Sequence, residues 1–243
     1  DDDTNMKKLK KIENLSDQAF TLIREAIMNN VLKPGKLYSA TEIGEWIGVS
    51  RTPIREAAQQ LANIGLVRVE KNRGIRILPT SLQGLIESFQ IRLMLEVPMI
   101  RKTATSRSDD DLVLIKEAFE KFQVAAESDD AKATLEADKE YHLAILKASG
   151  IGRALTIIEN TRNTVLLTGP STIPHSRSCM DAFNDHKALH EAILTKDAVQ
   201  AGIEMERHII NTANMLITQE SKSRDDWEGA ELLEQFEWIC NPR

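Results

Sequence analysis

The stretch Gly48-Val49-Ser50-Arg51-Thr52-Pro53-Ile54-Arg55-Glu56-Ala57-Ala58 constrains this chain more than any other. It reads as a turn entering a short helix. Ser50 has the side chain of an N-cap, whose hydroxyl accepts from a free backbone N–H. Pro53 suits the first helical turn, where a missing N–H costs little. Arg51 and Arg55 are four residues apart and share one helix face. Two guanidiniums beside a helix N-terminus are equipped to read guanine edges or to clamp phosphates.

The flanking pattern extends this to a small domain. Leu15, Ala19, Phe20, Ile23, Ala26 and Ile27 recur at helical spacing over 15–30, and Lys33-Pro34-Gly35 breaks that helix. A second short helix is expected from Thr41 to Ile47, ended by Gly48, and a third from Thr52 to Ile64, closed by Gly65 at the C′ position. Leu66 to Glu70 alternates as a strand, Lys71 to Gly74 turns, and Ile75 to Leu78 is a second strand. Three helices and a hairpin make a winged helix-turn-helix. From Leu82 onward the pattern predicts only helices, over 82–105, 109–127, 130–148, 151–168, 178–195 and 197–220, with Asp or Ser at most junctions as N-caps. A further short helix is expected around 227–238, where Trp227, Leu232, Leu233, Phe236 and Trp238 could pack back. The expected fold is mainly α: a winged head (15–79), then an all-α bundle of six to seven helices (80–222), with an N-terminal tail (1–14) and a C-terminal extension (223–243).

Charge divides the same way. The chain carries a net −6, which by itself argues against nucleic acid. Residues 5–80, however, hold 13 Lys/Arg against 7 Asp/Glu, and residues 81–243 hold 18 against 27. A basic head on an acidic body points to two domains with different partners. Cys179 and Cys240 are too few for a disulfide scaffold or a cysteine zinc site. No stretch approaches the ~20 apolar residues of a membrane span, and no signal-peptide pattern opens the sequence. No membrane partner and a cytoplasmic location are therefore expected, with Met6 a candidate natural start.

Residues 19–77 resemble the winged helix of the GntR family. The resemblance is carried by Ile23-Arg24-Glu25-Ala26-Ile27, Leu32-Lys33-Pro34-Gly35, Ser50 to Ala57, Leu61, Gly65-Leu66-Val67 and Arg73-Gly74. It implies that Arg51, Thr52 and Arg55 meet the major groove of double-stranded operator DNA, with Ser50 a further DNA contact. It also implies that Arg73 and Gly74 form the wing tip and that Ser39 meets a phosphate. Ala40-Thr41 departs from the acid or arginine that many relatives carry there.

All five histidines lie in the bundle half: His142, His175, His186, His190 and His208. Asp138 and His142 are i and i+4, as are His186 and His190. A carboxylate and several imidazoles converging inside a bundle suit a divalent metal. Spacing alone does not choose between His186 and His190. Asp138-Lys139-Glu140-Tyr141-His142-Leu143, Asp185-His186 and Met205-Glu206-Arg207-His208-Ile209 resemble the three metal-ligand motifs of the FCD ligand-binding domain of FadR-type, VanR-like GntR regulators. That resemblance implies Asp138, His142, His186 and His208 as ligands, and passes over His190. Zinc is the leading ion, with nickel, manganese and iron open. Arg92, in Ile91-Arg92-Leu93-Met94-Leu95-Glu96, matches an arginine expected to pair with the carboxylate of a small organic acid effector. The competing reading is a surface pair with Glu96. His175 and Arg177 read as loop residues. The expected protein is a homodimeric repressor rather than an enzyme, with a metal-sensing regulator and a metalloenzyme as rival readings.

Overall fold

The structure, a computed structural model, describes residues 14–79, 81–169, 171–222 and 234–240. Met6, most of the expected N-terminal tail, and Trp227, Leu232 and Leu233 of the expected last helix lie outside these. The chain forms two compact units, one up to residue 80 and one from residue 81.

The first unit opens with α1 (Leu15–Met28), capped by Asn14, whose side chain accepts from the Asp17 N–H. Its buried stripe, Ala19, Ile23 and Ile27, recurs every four residues. α2 (Ala40–Ile47) begins with a reciprocal cap between Ser39 and Glu42, and ends where Gly48 takes a left-handed φ of 76°. α3 (Arg51–Asn63) buries Ile54, Ala57, Ala58 and Leu61. Ser50 is its N-cap by backbone conformation but makes no side-chain cap bond. The reason is local: Pro53 occupies the third helical position and has no N–H to offer. The sheet has three strands rather than the expected two. β1 (Leu37–Tyr38) joins β2 (Val67–Glu70) and β3 (Gly74–Ile77) in the order β1-β3-β2, antiparallel throughout. Two residues are too short to show alternation, which is why β1 left no sequence signal. Ile23, Ile43, Ile54, Leu61 and Ile77 close this core.

The second unit is a helical bundle. Its described helices are α4 (Leu82–Ser106), α5 (Asp109–Glu127), α6 (Ala131–Lys147), α7 (Gly152–Thr168), α8 (Cys179–Asn184), α9 (Lys187–Leu194), α10 (Ala198–Ser221) and α11 (Glu234–Cys240). Ser81, Ser108, Asp130, Ser178 and Asp197 each cap a helix through the side chain. The single helix expected over 178–195 is two, broken at Asp185-His186. There the His186 ring bonds to the Ala182 carbonyl at 2.7 Å and Asp185 turns to the His208 ring and Arg207. In α11, Phe236 is buried and Gln235 accepts from Gln90 of α4, but Trp238 stays 57% exposed instead of packing back. Phe89, Phe122, Tyr141, Ile145, Phe183 and Ile209 lie at the centre of the core. Arg107 ties the end of α4 to the end of α9, donating to the carbonyls of Ile193 and Leu194. Among the described residues no helix is long and apolar enough to cross a membrane.

Candidate functional site

In the first unit, the starts of α2 and α3 and the β2–β3 turn enclose one cleft. Ser39, Arg51, Arg55, Lys71, Arg73 and Gly74 are among its walls. Of the expected DNA contacts it gathers Ser39, Arg51, Arg55, Arg73 and Gly74. Ser50 and Thr52 are exposed at the same helix start but do not line it. Arg51 and Arg55 are exposed and form no ion pair among the described residues. The Ser50 hydroxyl, which Pro53 deprives of a cap partner, is also exposed. Ser39, by contrast, accepts the Glu42 N–H at 3.0 Å. Glu70 is the acid of the wing. Arg76 hydrogen-bonds it and holds its carboxyl below the usual range, and Arg73 pairs with it at 3.2 Å. Gly74 has a structural duty too. Its φ is +139°, and a Cβ there would run into the Tyr38 carbonyl of β1.

In the second unit, α6 presents Asp138 and His142, the α8–α9 break presents His186, and α10 presents His208. A ring nitrogen of each histidine lies within 4.8 Å of the others. All three rings are at most 2% exposed. Nε2 of His142 stands 2.9 Å from Nε2 of His186, and Asp138 Oδ1 lies 3.1 Å from the latter. The far nitrogens are anchored. His186 Nδ1 faces the Ala182 carbonyl at 2.7 Å, His208 Nδ1 faces Asp185 Oδ2 at 2.7 Å, and His142 Nδ1 lies 3.3 Å from Glu96 Oε2, short of a well-aligned hydrogen bond.

These partners determine the tautomers. A backbone carbonyl only accepts, so Nδ1 of His186 carries the proton and its Nε2 presents a lone pair, and the ionised Glu96 facing Nδ1 of His142 favours the same tautomer there. Two lone pairs and a carboxylate oxygen thus face one another in a buried space, an arrangement that calls for a cation. Two nitrogens on one ion with bonds of ~2.0–2.1 Å stand roughly 3 Å apart, the spacing seen. Burial and the Arg162 charge lower the His142 pKa to about 3, and burial with His186 and His142 close by holds His208 well below its ordinary value, so these two rings are neutral at neutral pH. Outer anchors of this kind are the usual support of a metal-binding imidazole. The three-histidine cluster can therefore hold a metal ion.

Beside it lies a cavity walled by Phe89, Arg92, Asp138, Arg162, Arg177 and Thr212, among others. It offers about 70 Å³ to water-sized groups, where one water needs ~10–15 Å³. Arg92 pairs with Glu96 at 2.7 Å, but both are buried, so the surface pair weighed from sequence is an interior one. Among the described residues Arg92 Nη2 has no partner. Glu96 is gripped a second time by Arg162, through Nε and Nη2 at 3.1 Å each. Burial alone would raise the Glu96 pKa, but Arg162 and Arg92 outweigh it and hold the group ionised. Burial would raise Asp185 likewise, and bonds from His208 and Arg207 hold it below the usual carboxylate range.

Several of these residues escaped the sequence reading. Arg162 sits in α7 without a motif. Glu96 and Asp185 lie inside the matched motifs, but nothing marked them as anchors. Arg177, read as a loop residue, is a cavity wall fixed to Thr172 and Asp185; His175, in the same loop, is exposed. His190 lies outside the histidine cluster, stacked on Phe119 at 3.8 Å and 3.1 Å from the Tyr141 hydroxyl.

Residues 87–211 match the FCD domain, and residues 15–77 match the bacterial regulatory proteins of the gntR family. The chain is 26% identical to the Uxu operon transcriptional regulator of Escherichia coli over 216 residues, 81% of this chain and 84% of that protein. It is 22% identical to the HTH-type transcriptional repressor RspR of Escherichia coli, over 90% of this chain and 96% of that one. An HTH-type regulator of Agrobacterium vitis, from the TAR-I ttuE-ttuC' intergenic region, is 32% identical over 127 residues, 51% of this chain and 74% of its own. Among solved structures, Escherichia coli McbR/YncC shares the fold with a TM-score of 0.63 at 21% identity, covering 86% of this chain and all of that one. These relatives are transcription regulators rather than enzymes. This chain belongs to the gntR family of bacterial transcription regulators, with a winged helix-turn-helix head and an FCD domain.

Proposed function

We propose that this protein is a homodimeric repressor of a metabolic operon, acting in the cytoplasm and released from its operator by a small organic acid. The observation that carries the reading is the pairing, in one chain, of a solvent-facing arginine cleft with a buried histidine centre beside an arginine-walled cavity. The relatives named as an operon regulator and a repressor support the direction of control.

On the output side, Arg51 and Arg55 enter the major groove. Each bidentate guanine contact adds ~1–3 kcal/mol of discrimination. Ser39, Ser50 and Thr52 meet the flanking phosphates and bases, and Arg73 follows the backbone from the wing. Its pair with Glu70 is solvent-exposed on the arginine side, and pairs of that kind are weak enough for a phosphate to displace. Gly74 lets the wing turn pass beneath Tyr38. Two heads on one dimer read a palindromic site.

On the input side, Asp138, His142, His186 and His208 hold a divalent ion, zinc before nickel, manganese or iron. When bound, the ion supplies positive charge and open coordination positions to a carboxylate. Arg92 offers its unpartnered Nη2 to the same carboxylate, and Arg162, fixed by Glu96, keeps the wall positive. The small cavity argues against an acyl-CoA. Binding changes operator affinity through unequal affinity for two states of the dimer.

The reading is tested by fluorescence anisotropy with DNA from upstream of the protein's own gene. Arg51→Ala is expected to weaken binding by about tenfold or more. Unchanged affinity sinks the cleft assignment. If metal alone, with no acid, releases the DNA, the ion rather than the acid is the signal.

A further inference from the structure

The inference that follows rests on the acid-effector reading above and deepens it. We propose that the effector is a small dicarboxylate and that the Thr212 hydroxyl is one of the groups that hold it.

Thr212 Oγ1 and Arg92 Nη2 are both buried side-chain atoms without a hydrogen-bond partner among the described residues. Their residues are 9% and 6% exposed, on α10 and α4, and both line the cavity beside the histidine centre. Buried polar atoms are seldom left unpaired, and two on one cavity from two different helices point to a polar ligand that satisfies both. Thr212 follows His208 by four residues and lies one turn along the same face of α10. A hydroxyl, like a guanidinium, can donate to a carboxylate oxygen.

Charge balance sets the number of carboxylates. Around the cavity and the histidine centre, Arg92, Arg162, Arg177 and Arg207 are matched by Glu96, Asp138, Asp185 and Glu204, through the contacts Arg92–Glu96, Arg162–Glu96, Arg162–Asp138, Arg177–Asp185, Arg207–Asp185 and Arg207–Glu204. A divalent ion on neutral imidazoles then leaves two positive charges uncompensated in a buried site. A monocarboxylate cancels one of them and a dicarboxylate cancels both. Lys139, on the partly exposed cavity wall, adds a further positive charge, so the excess that a ligand meets is at least two. The volume of about 70 Å³ limits the acid to a few carbons.

The test is calorimetric titration of the full chain loaded with zinc, using succinate and butyrate as probes. Succinate is expected to bind at least about tenfold more tightly than butyrate. Thr212→Val, which removes the hydroxyl at constant shape, is expected to weaken succinate about five- to tenfold, and Thr212→Ser to restore it. Equal affinity for the two acids overturns the dicarboxylate assignment, whatever the variants do. Succinate binding by folded Thr212→Val at the parent affinity overturns the role of Thr212. If neither acid binds the loaded parent, the acid-effector reading fails as well, and that outcome is distinct from butyrate and succinate binding alike.

Discussion

The two units use arginine in opposite ways. Arg51 and Arg55 of the head are exposed and, among the described residues, unpaired. Arg92 and Arg162 of the bundle are 6% and 7% exposed and locked onto one carboxylate, Glu96. An exposed guanidinium keeps its hydration until a phosphate or base replaces it, so it costs the fold little and remains available to a large external anion. A buried one must be compensated in place, and the compensation makes the surrounding wall rigid and selective for what is small enough to enter. Charge thus serves reach in the head and preorganisation in the bundle. The contrast also explains how a chain of net charge −6 carries a DNA-reading surface.

The largest test of the contrast is His186→Ala. It removes an imidazole from the buried centre and leaves the head untouched. Metal affinity is expected to fall by more than about a hundredfold, beyond the ~10–100-fold that loss of an outer partner costs. Helicity of the isolated head residues and operator binding without effector are expected to persist. Metal analysis after dialysis, with anisotropy on the same sample, checks both. Next in size is Asp185→Asn, which weakens the hold on the His208 ring. Metal affinity is expected to drop by about 10–100-fold with the ligands intact, read by competition with a chromogenic chelator.

The outcome at Asp185 bears on what could be read from the chain. Caps were legible because they are local: Ser108, Asp130, Ser178 and Asp197 each bond an N–H three residues ahead. Ser50 looked like one more, and Pro53 cancelled it from three residues away, which the sequence itself displayed. Strand β1 was hidden by its brevity. The break at Asp185-His186 was hidden because it is held by His208 and Arg207, more than twenty residues further on. The meeting of His142, His186 and His208 was anticipated by the resemblance of three motifs, spacing alone leaving His186 and His190 open. Arg162 was not, because a helical arginine gains meaning only from the buried glutamate it meets across α4. Residues whose role is local announce themselves, and residues whose role is tertiary do not.

A smaller effect separates the units by pH. Burial, with the Arg162 charge, lowers His142 to about 3, and burial, with Lys116, lowers His190 to about 4, from an ordinary 6.5. The unfolded chain therefore binds more protons than the folded bundle below pH ~6.5, and bundle stability falls as the pH drops from there towards 3 to 4. Above pH ~6.5 this contribution is complete. Urea melts of the metal-free protein at pH 7.5 and pH 5 are expected to show a lower midpoint at pH 5. An unchanged midpoint contradicts the neutral, buried state of these rings. The smallest effect belongs to the wing. Arg73→Ala removes one exposed charge, and the slope of log affinity against log salt is expected to fall by about one. No change in slope removes Arg73 from the DNA-facing surface.

In the proposed function, occupancy of the buried centre controls the exposed cleft. The most direct measurement is operator affinity of the two-domain protein by anisotropy, with metal alone, succinate alone and both together. The account predicts that succinate weakens operator binding when metal is present and leaves it unchanged after chelation. Equal operator affinity in all three conditions, on protein that calorimetry shows to have bound both metal and acid, would contradict it.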